Sequence, residues 1–133
     1  MEITYFISLF APYGNVSYDV TRQGSISQRL MQMSGLTTEE FTLRARPMSL
    51  LGQNTLPPNG MEMAARLAKR LNYLNDGRQI VFLGHEIAAA FGHIETPFVW
   101  EGSKVMIPSP LDPWYANTTH MAATTLFLED LFA

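Results

Sequence analysis

Ten residues near the carboxyl end, MIPSPLDPWY from Met106 to Tyr115, gather three prolines, a serine, an aspartate and two large aromatics. Proline holds φ at about −65° and donates no backbone N–H, so this loop is stiff and presents its side chains at little entropic cost. One chemical use suits it: presenting an apolar tip to a binding partner. A plainer use suits it equally, ending a strand while Trp114 and Tyr115 close over the core, where aromatics are commonly buried. Elsewhere, His85 stands just past a strand-like run beside Gly84, where it either touches a ligand or sits exposed in a helix's first turn. Glu86 next to it reads as a first-turn acid favoured by the helix dipole. His85, His93 and His120 share no i, i+4 spacing and no cysteine assists them, so no metal site is expected. Arg44 and Arg46 alternate on an extended segment and suit either phosphates or ion pairs with the chain's acids. GQN followed by LPPNG, which includes Gln53 and Asn54, is a substrate-facing loop or a long turn.

The elements that must position these residues alternate strand and helix. ITYFISLF (Ile3 to Phe10) is a β-branched and aromatic run that stops at APYGN, a turn-forming cluster. Ser25 and Gln28 have capping-box spacing, and the helix they open runs to Gly35. Thr37 and Glu40 repeat the box and start a short helical turn, after which Pro47 is expected to block regular structure. Asn59 and Glu62 open an amphipathic helix with Met63, Leu67, Leu71 and Leu74 on one face and Arg66, Lys69 and Arg70 on the other. Gln79 to Leu83 reads as a fully buried strand, Gly84 as the turn out of it, and HEIAAAFG as the next helix. SKVMI is the last strand, and a C-terminal helix is capped by Asn117 or Thr118. This pattern implies an α/β domain spanning 1–133, with a mostly parallel central sheet of about four strands. Open sheets of that kind bind ligands at the carboxyl ends of their strands, where the MIPSPLDPWY loop lies.

Composition narrows the function classes. At 133 residues the chain suits one domain with one core. No apolar run reaches the roughly 18 residues of a membrane span, and MEITYFISLF lacks the basic region and cleavage site of a signal peptide. The absence of cysteine excludes disulfides and thiolate metal sites and fits a cytoplasmic setting. A net charge of −3, from nine Lys and Arg against twelve Asp and Glu, argues against a broad electrostatic grip on nucleic acid.

IPSPLDPWY resembles the second signature of the uracil-DNA glycosylase superfamily, a His-Pro-Ser loop ending in leucine that phage and bacterial members extend into an aromatic pair. Three other stretches resemble the family in the same order along the chain. GSISQRLMQMSGLTTEEF is similar to the helix and turn after the first signature, RARP to a Lys-Cys-Arg-Pro stretch, and IVFLGHEIAAAFG to the strand, glycine and alanine-rich helix before the second signature. The resemblance implies a three-layer α/β/α fold shorter than typical members. It implies an enzyme that flips a base out of the duplex, reads its edge and breaks the N-glycosidic bond.

The family's chemical groups are largely replaced here. Leu9 and Phe10 stand where the first signature carries glycine and a polar or acidic residue, and only Ala11, Pro12 and Tyr13 fit. Ile107 stands in place of the histidine that stabilises the departing base, and it can neither donate a hydrogen bond nor carry charge. The base-reading asparagine has no clear counterpart beyond Ser49, Gln53 or Asn54. Pro108, Ser109, Pro110 and Leu111 match the leucine loop. The resemblance therefore implies a cleft framed by Ala11, Pro12 and Tyr13, by Ser49, Gln53 and Asn54, by Gly84 and His85, and by Ser109, Leu111, Asp112 and Trp114, with Tyr13 as the stacking face. Two functions follow. One is a binding protein for a nucleobase, nucleotide, DNA or protein, with little glycosidic activity and no cofactor. The other is an active, divergent base-processing enzyme whose acid is Asp112 or Asp19.

Overall fold

The structure is a computed structural model that describes residues 3–12, 14–52, 55–74 and 77–133. Its centre is a parallel sheet of β1 (Thr4–Ser8), β2 (Ala45–Ser49), β3 (Gln79–Leu83) and β4 (Lys104–Ile107), in the order β2-β1-β3-β4. Around it lie α1 (Ile26–Ser34), α2 (Thr38–Arg44), α3 (Gly60–Leu74), α4 (His85–Ala90) and α5 (Thr118–Leu131), with 3-10 turns at Gly14–Tyr18 and Pro113–Ala116.

Alternation along the strands sorts the core into two faces. Phe6, Val81, Leu83, Val105 and Ile107 point to one side and pack with Leu30 of α1, Phe41 of α2 and Leu128 of α5. Ile7, Ile80, Phe82 and Met106 point to the other, against Ala64 of α3 and Ile87 and Ala88 of α4. Both faces of the central strands are thus dry, which is why their sequences are continuous apolar runs. The expected α/β/α layering with about four strands is the observed one, with every strand pair parallel.

The helix ends follow local chemistry. Ser25 accepts from the Gln28 N–H at 3.0 Å, and Gly35 closes α1 in the left-handed region at φ 70°. Thr37 and Glu40 form a full capping box, and Asn117 caps α5 by accepting from Thr119 and His120.

Three expectations about elements need correction. Arg44 does not share an extended segment with Arg46, because it is the last residue of α2 and only Arg46 lies in β2. Pro47 does not end regular structure, because it lies within β2. β2 is an edge strand, and Leu50 N–H reaches Ser8 O, so by the two-residue period the N–H that Pro47 lacks would have faced outward. In α3 the buried line is Ala64 and Ala68, both fully buried, while Leu71 is 42% exposed and Met63 and Leu67 are half-buried. Small residues at i, i+4 let the helix lie close to its neighbours, so packing distance and not side-chain size chose the inner stripe.

Candidate functional site

The strand order creates the site. From β1 the chain passes through α1 and α2 on one face to reach β2, then through α3 on the opposite face to reach β3 on the other side of β1. The connections leaving β1 and β3 diverge to opposite faces, which opens a crevice at their carboxyl ends. A cleft of about 240 Å³ occupies that position. This is below the roughly 300 Å³ at which drug-sized ligand sites begin, and suits one small group.

Its floor is apolar: Leu9 and Phe10 from the segment after β1, Leu83 and Ile87 around β3, and Ile26 from the start of α1. Its rim is polar and carries His85, Glu86, Ser109 and Asp112. Gly84 forms the wall between β3 and α4 at φ 116° and ψ 159°, a backbone state open essentially to glycine alone, and donates its N–H to Ile107 O at 2.8 Å. His85 is exposed, with Nε2 3.8 Å from a Glu86 carboxylate oxygen. Asp112 accepts from the Trp114 N–H at 2.8 Å, so one carboxylate oxygen holds the turn that follows the loop.

Ser8 also lines the cleft, 5% exposed, and is backed by a hydroxyl pair. Its hydroxyl donates to Met48 O at 3.3 Å, which leaves the Tyr18 hydroxyl to donate to Ser8 Oγ at 2.9 Å. Burial raises the Tyr18 pKa above the ordinary tyrosine value, partly offset by its bonds to Ser8 and Ser49, so this pair is a neutral donor chain.

Of the residues expected at the site, Pro12, Gly84, His85, Ser109, Leu111 and Asp112 meet around the cleft. Tyr13, Gln53 and Asn54 lie outside the described residues. Ala11 is buried and its carbonyl accepts from Gly14 N–H, behind Pro12. Ser49 pairs in register with Ser8 and accepts from Gly52 N–H at 3.0 Å, so it stands behind the cleft and does not line it.

Asp19 lies away from the cleft. It accepts from both the N–H and the hydroxyl of Thr21, and these bonds, the side-chain one first, hold its carboxyl below the usual carboxylate range. A carboxyl so held is a turn former and a poor proton donor. Trp114 lies off the cleft as well, because it stacks on His120 at 3.9 Å between ring centroids and 9° between planes. Tyr115 is 7% exposed and donates to Pro108 O at 2.7 Å, and burial pushes its pKa up to about 12. Leu111 is half-buried against the core with its edge in the cleft wall, so it is not a free tip. The stiff loop thus anchors itself to the core through its aromatics and offers only Ser109, Leu111 and Asp112 to the cleft.

Sequence reasoning missed Ser8, Ile26 and Ile87 as lining residues and saw Glu86 only as a helix-dipole acid. No local signal marks them, since they converge from separate elements. Among the described residues no group of three His, Asp or Glu side chains could hold a metal ion. No helix among them is long and apolar enough to cross a membrane.

Compared with known proteins, the chain matches no family model, no curated protein and no solved structure.

Proposed function

We propose that the cleft binds a single nucleobase, free or as part of a nucleotide or DNA strand, and that the protein is a uracil-DNA-glycosylase-like binder deficient in glycosidic cleavage, acting in the cytoplasm. One observation carries this reading. Ile107, at the position where the resembled signature carries its catalytic histidine, is fully buried in the core while the cleft beside it stays open. Phe10 adds an apolar wall where the first signature would place a polar group near the attacked bond. The cleft can therefore seat a flat ring but lacks the two groups that would stabilise a departing base and position water. The parallel four-stranded fold and the placement of Pro12, Ser109 and Leu111 around one crevice support the resemblance on which the reading rests.

The test has two arms. Purified protein should release no uracil from single- or double-stranded DNA, since each missing electrostatic group typically costs at least about 100-fold. The same protein should bind uracil or dUMP, seen as NMR shifts of residues around Gly84 and Ser109 that disappear in Ser109→Phe, whose ring fills the cleft. Uracil release at the rate of an ordinary glycosylase would overturn the binder reading. A second reading, an active enzyme with Asp112 as its acid, is favoured only by the place of Asp112 on the rim. It requires uracil release that Asp112→Asn abolishes.

A further inference from the structure

The cleft rim carries Glu86 and Asp112, which repel a phosphate attached to a bound base. Ile26 at the start of α1 and Leu111 line the cleft, and their chain neighbours Gln28, Arg29 and Pro110 border a second hollow. There Arg29 stands as a ridge between two hollows of about 320 and 350 Å³. Its Nε donates to Gly24 O at 3.1 Å and its Nη1 reaches Pro110 O at 3.4 Å, so the guanidinium is oriented with donors left over. One hollow adds Gln28 and Gln32, the other adds Arg22, and Gln23 borders both. No carboxylate lines either hollow, in a chain with twelve acids and a net charge of −3, although the Asp19 carboxylate lies within Coulombic reach of Arg22.

Most other arginines are engaged elsewhere. Arg44 donates to Phe132 O at 2.7 Å and covers the Phe132 ring, Arg46 donates to Thr42 O, Arg66 pairs with Glu62, and Arg78 lies over Tyr5. The segment carrying Arg22 is braced by Ser25, which donates its hydroxyl to Asp19 O at 2.7 Å, and by Gln28, which accepts from Gly24 N–H at 2.6 Å. The backbone that borders the hollows is therefore braced.

We propose that Arg29 and Arg22, with their glutamine neighbours, form a phosphate subsite that holds the backbone of a single nucleic-acid strand whose base enters the cleft. This rests on the base-binding reading. Planar guanidinium groups suit phosphate oxygens, and the flanking amides supply neutral donors.

The experiment measures anisotropy of a labelled oligothymidylate and, separately, binding of dUMP and of inorganic phosphate, between about 50 and 200 mM salt. The oligomer should bind more tightly than dUMP, with Arg29→Gln weakening it several-fold and flattening the salt slope by about 0.7 per lost phosphate contact. Arg29→Lys keeps the charge and should retain most of the slope, whereas a purely structural role at Pro110 would make both variants equally defective. Arg66→Gln, on α3 and paired with Glu62, should bind as the parent does. Oligomer affinity equal to that of dUMP, unchanged by Arg29→Gln and Arg22→Gln, overturns the subsite and leaves the base-binding reading standing. Binding of inorganic phosphate alone, with no preference for the strand, also overturns it. Failure of dUMP and oligomer alike overturns both.

Discussion

Tyr115 shows how a single side chain can serve the loop without serving a ligand. Its hydroxyl ties the third proline-bounded segment back to Pro108 O at 2.7 Å, and its ring lies inside the core. Tyr115→Phe should lower stability by about 1–2 kcal/mol in urea denaturation, because Pro108 O would lose its donor in a part-buried site. The same residue predicts an alkaline limit. Its folded pKa is raised, to about 12, chiefly by burial. The folded state therefore keeps the proton longer than the unfolded chain does. The stability it contributes is whole below about pH 10, where the unfolded tyrosine titrates, and is lost as pH rises from there toward 12. Denaturation between pH 9 and 12 should show the parent losing up to roughly 2 kcal/mol more than Tyr115→Phe across that window. Equal losses would place the alkaline sensitivity elsewhere, Tyr18 being the next buried phenol whose pKa is raised.

Among the elements, α3 gives the sharpest contrast between pattern and packing. The four-residue spacing of Met63, Leu67 and Leu71 marks a helix, and a helix forms. The side it buries is the Ala64 and Ala68 line, with both alanines fully buried. Ala64→Leu should therefore cost about 1–3 kcal/mol by overpacking against the second face of the sheet. Leu71→Gln, at a 42% exposed position, should change stability by no more than about 0.5 kcal/mol. Midpoints of chemical denaturation decide the matter, and the reverse order of the two effects would mean that the large residues face the core. β2 was hidden for a related reason. A strand holding Pro47 looks interrupted, and only its edge position, with one neighbour, lets the missing N–H go unused. The caps at Ser25, Thr37 and Asn117 were legible because each depends on residues within three positions of one another.

For the whole molecule, the two apolar faces share the same strands: Phe6 and Ile7 of β1, and Val81 and Phe82 of β3, point to opposite sides. Neither face can open without stripping the sheet of one wall. Unfolding should therefore be a single cooperative transition. Far-UV circular dichroism should coincide with tryptophan fluorescence, which reports the face where Trp114 packs and Trp100 meets Phe127. A fluorescence transition that precedes the loss of secondary structure would mean that the α1, α2 and α5 side unfolds by itself. The charge distribution matters at the same scale. A net charge of −3 opposes a broad polyanion grip. Two acid-free hollows around Arg29 still permit a local one, because screening at physiological salt confines such interactions to about 8 Å.

Sequence alone determined the alternation of strands and helices, the helix starts and the glycine turn after β3. All of these are properties of residue type over short stretches, where backbone preference and side-chain chemistry act without distant partners. Tertiary structure decided the rest: the order β2-β1-β3-β4, which opens the crevice between β1 and β3; the removal of Trp114 to the face of His120; and the meeting of Ser8, Ile26, His85 and Asp112 around one cleft. Those outcomes depend on which apolar faces find each other across many residues, and burial is a non-directional force that no local pattern records.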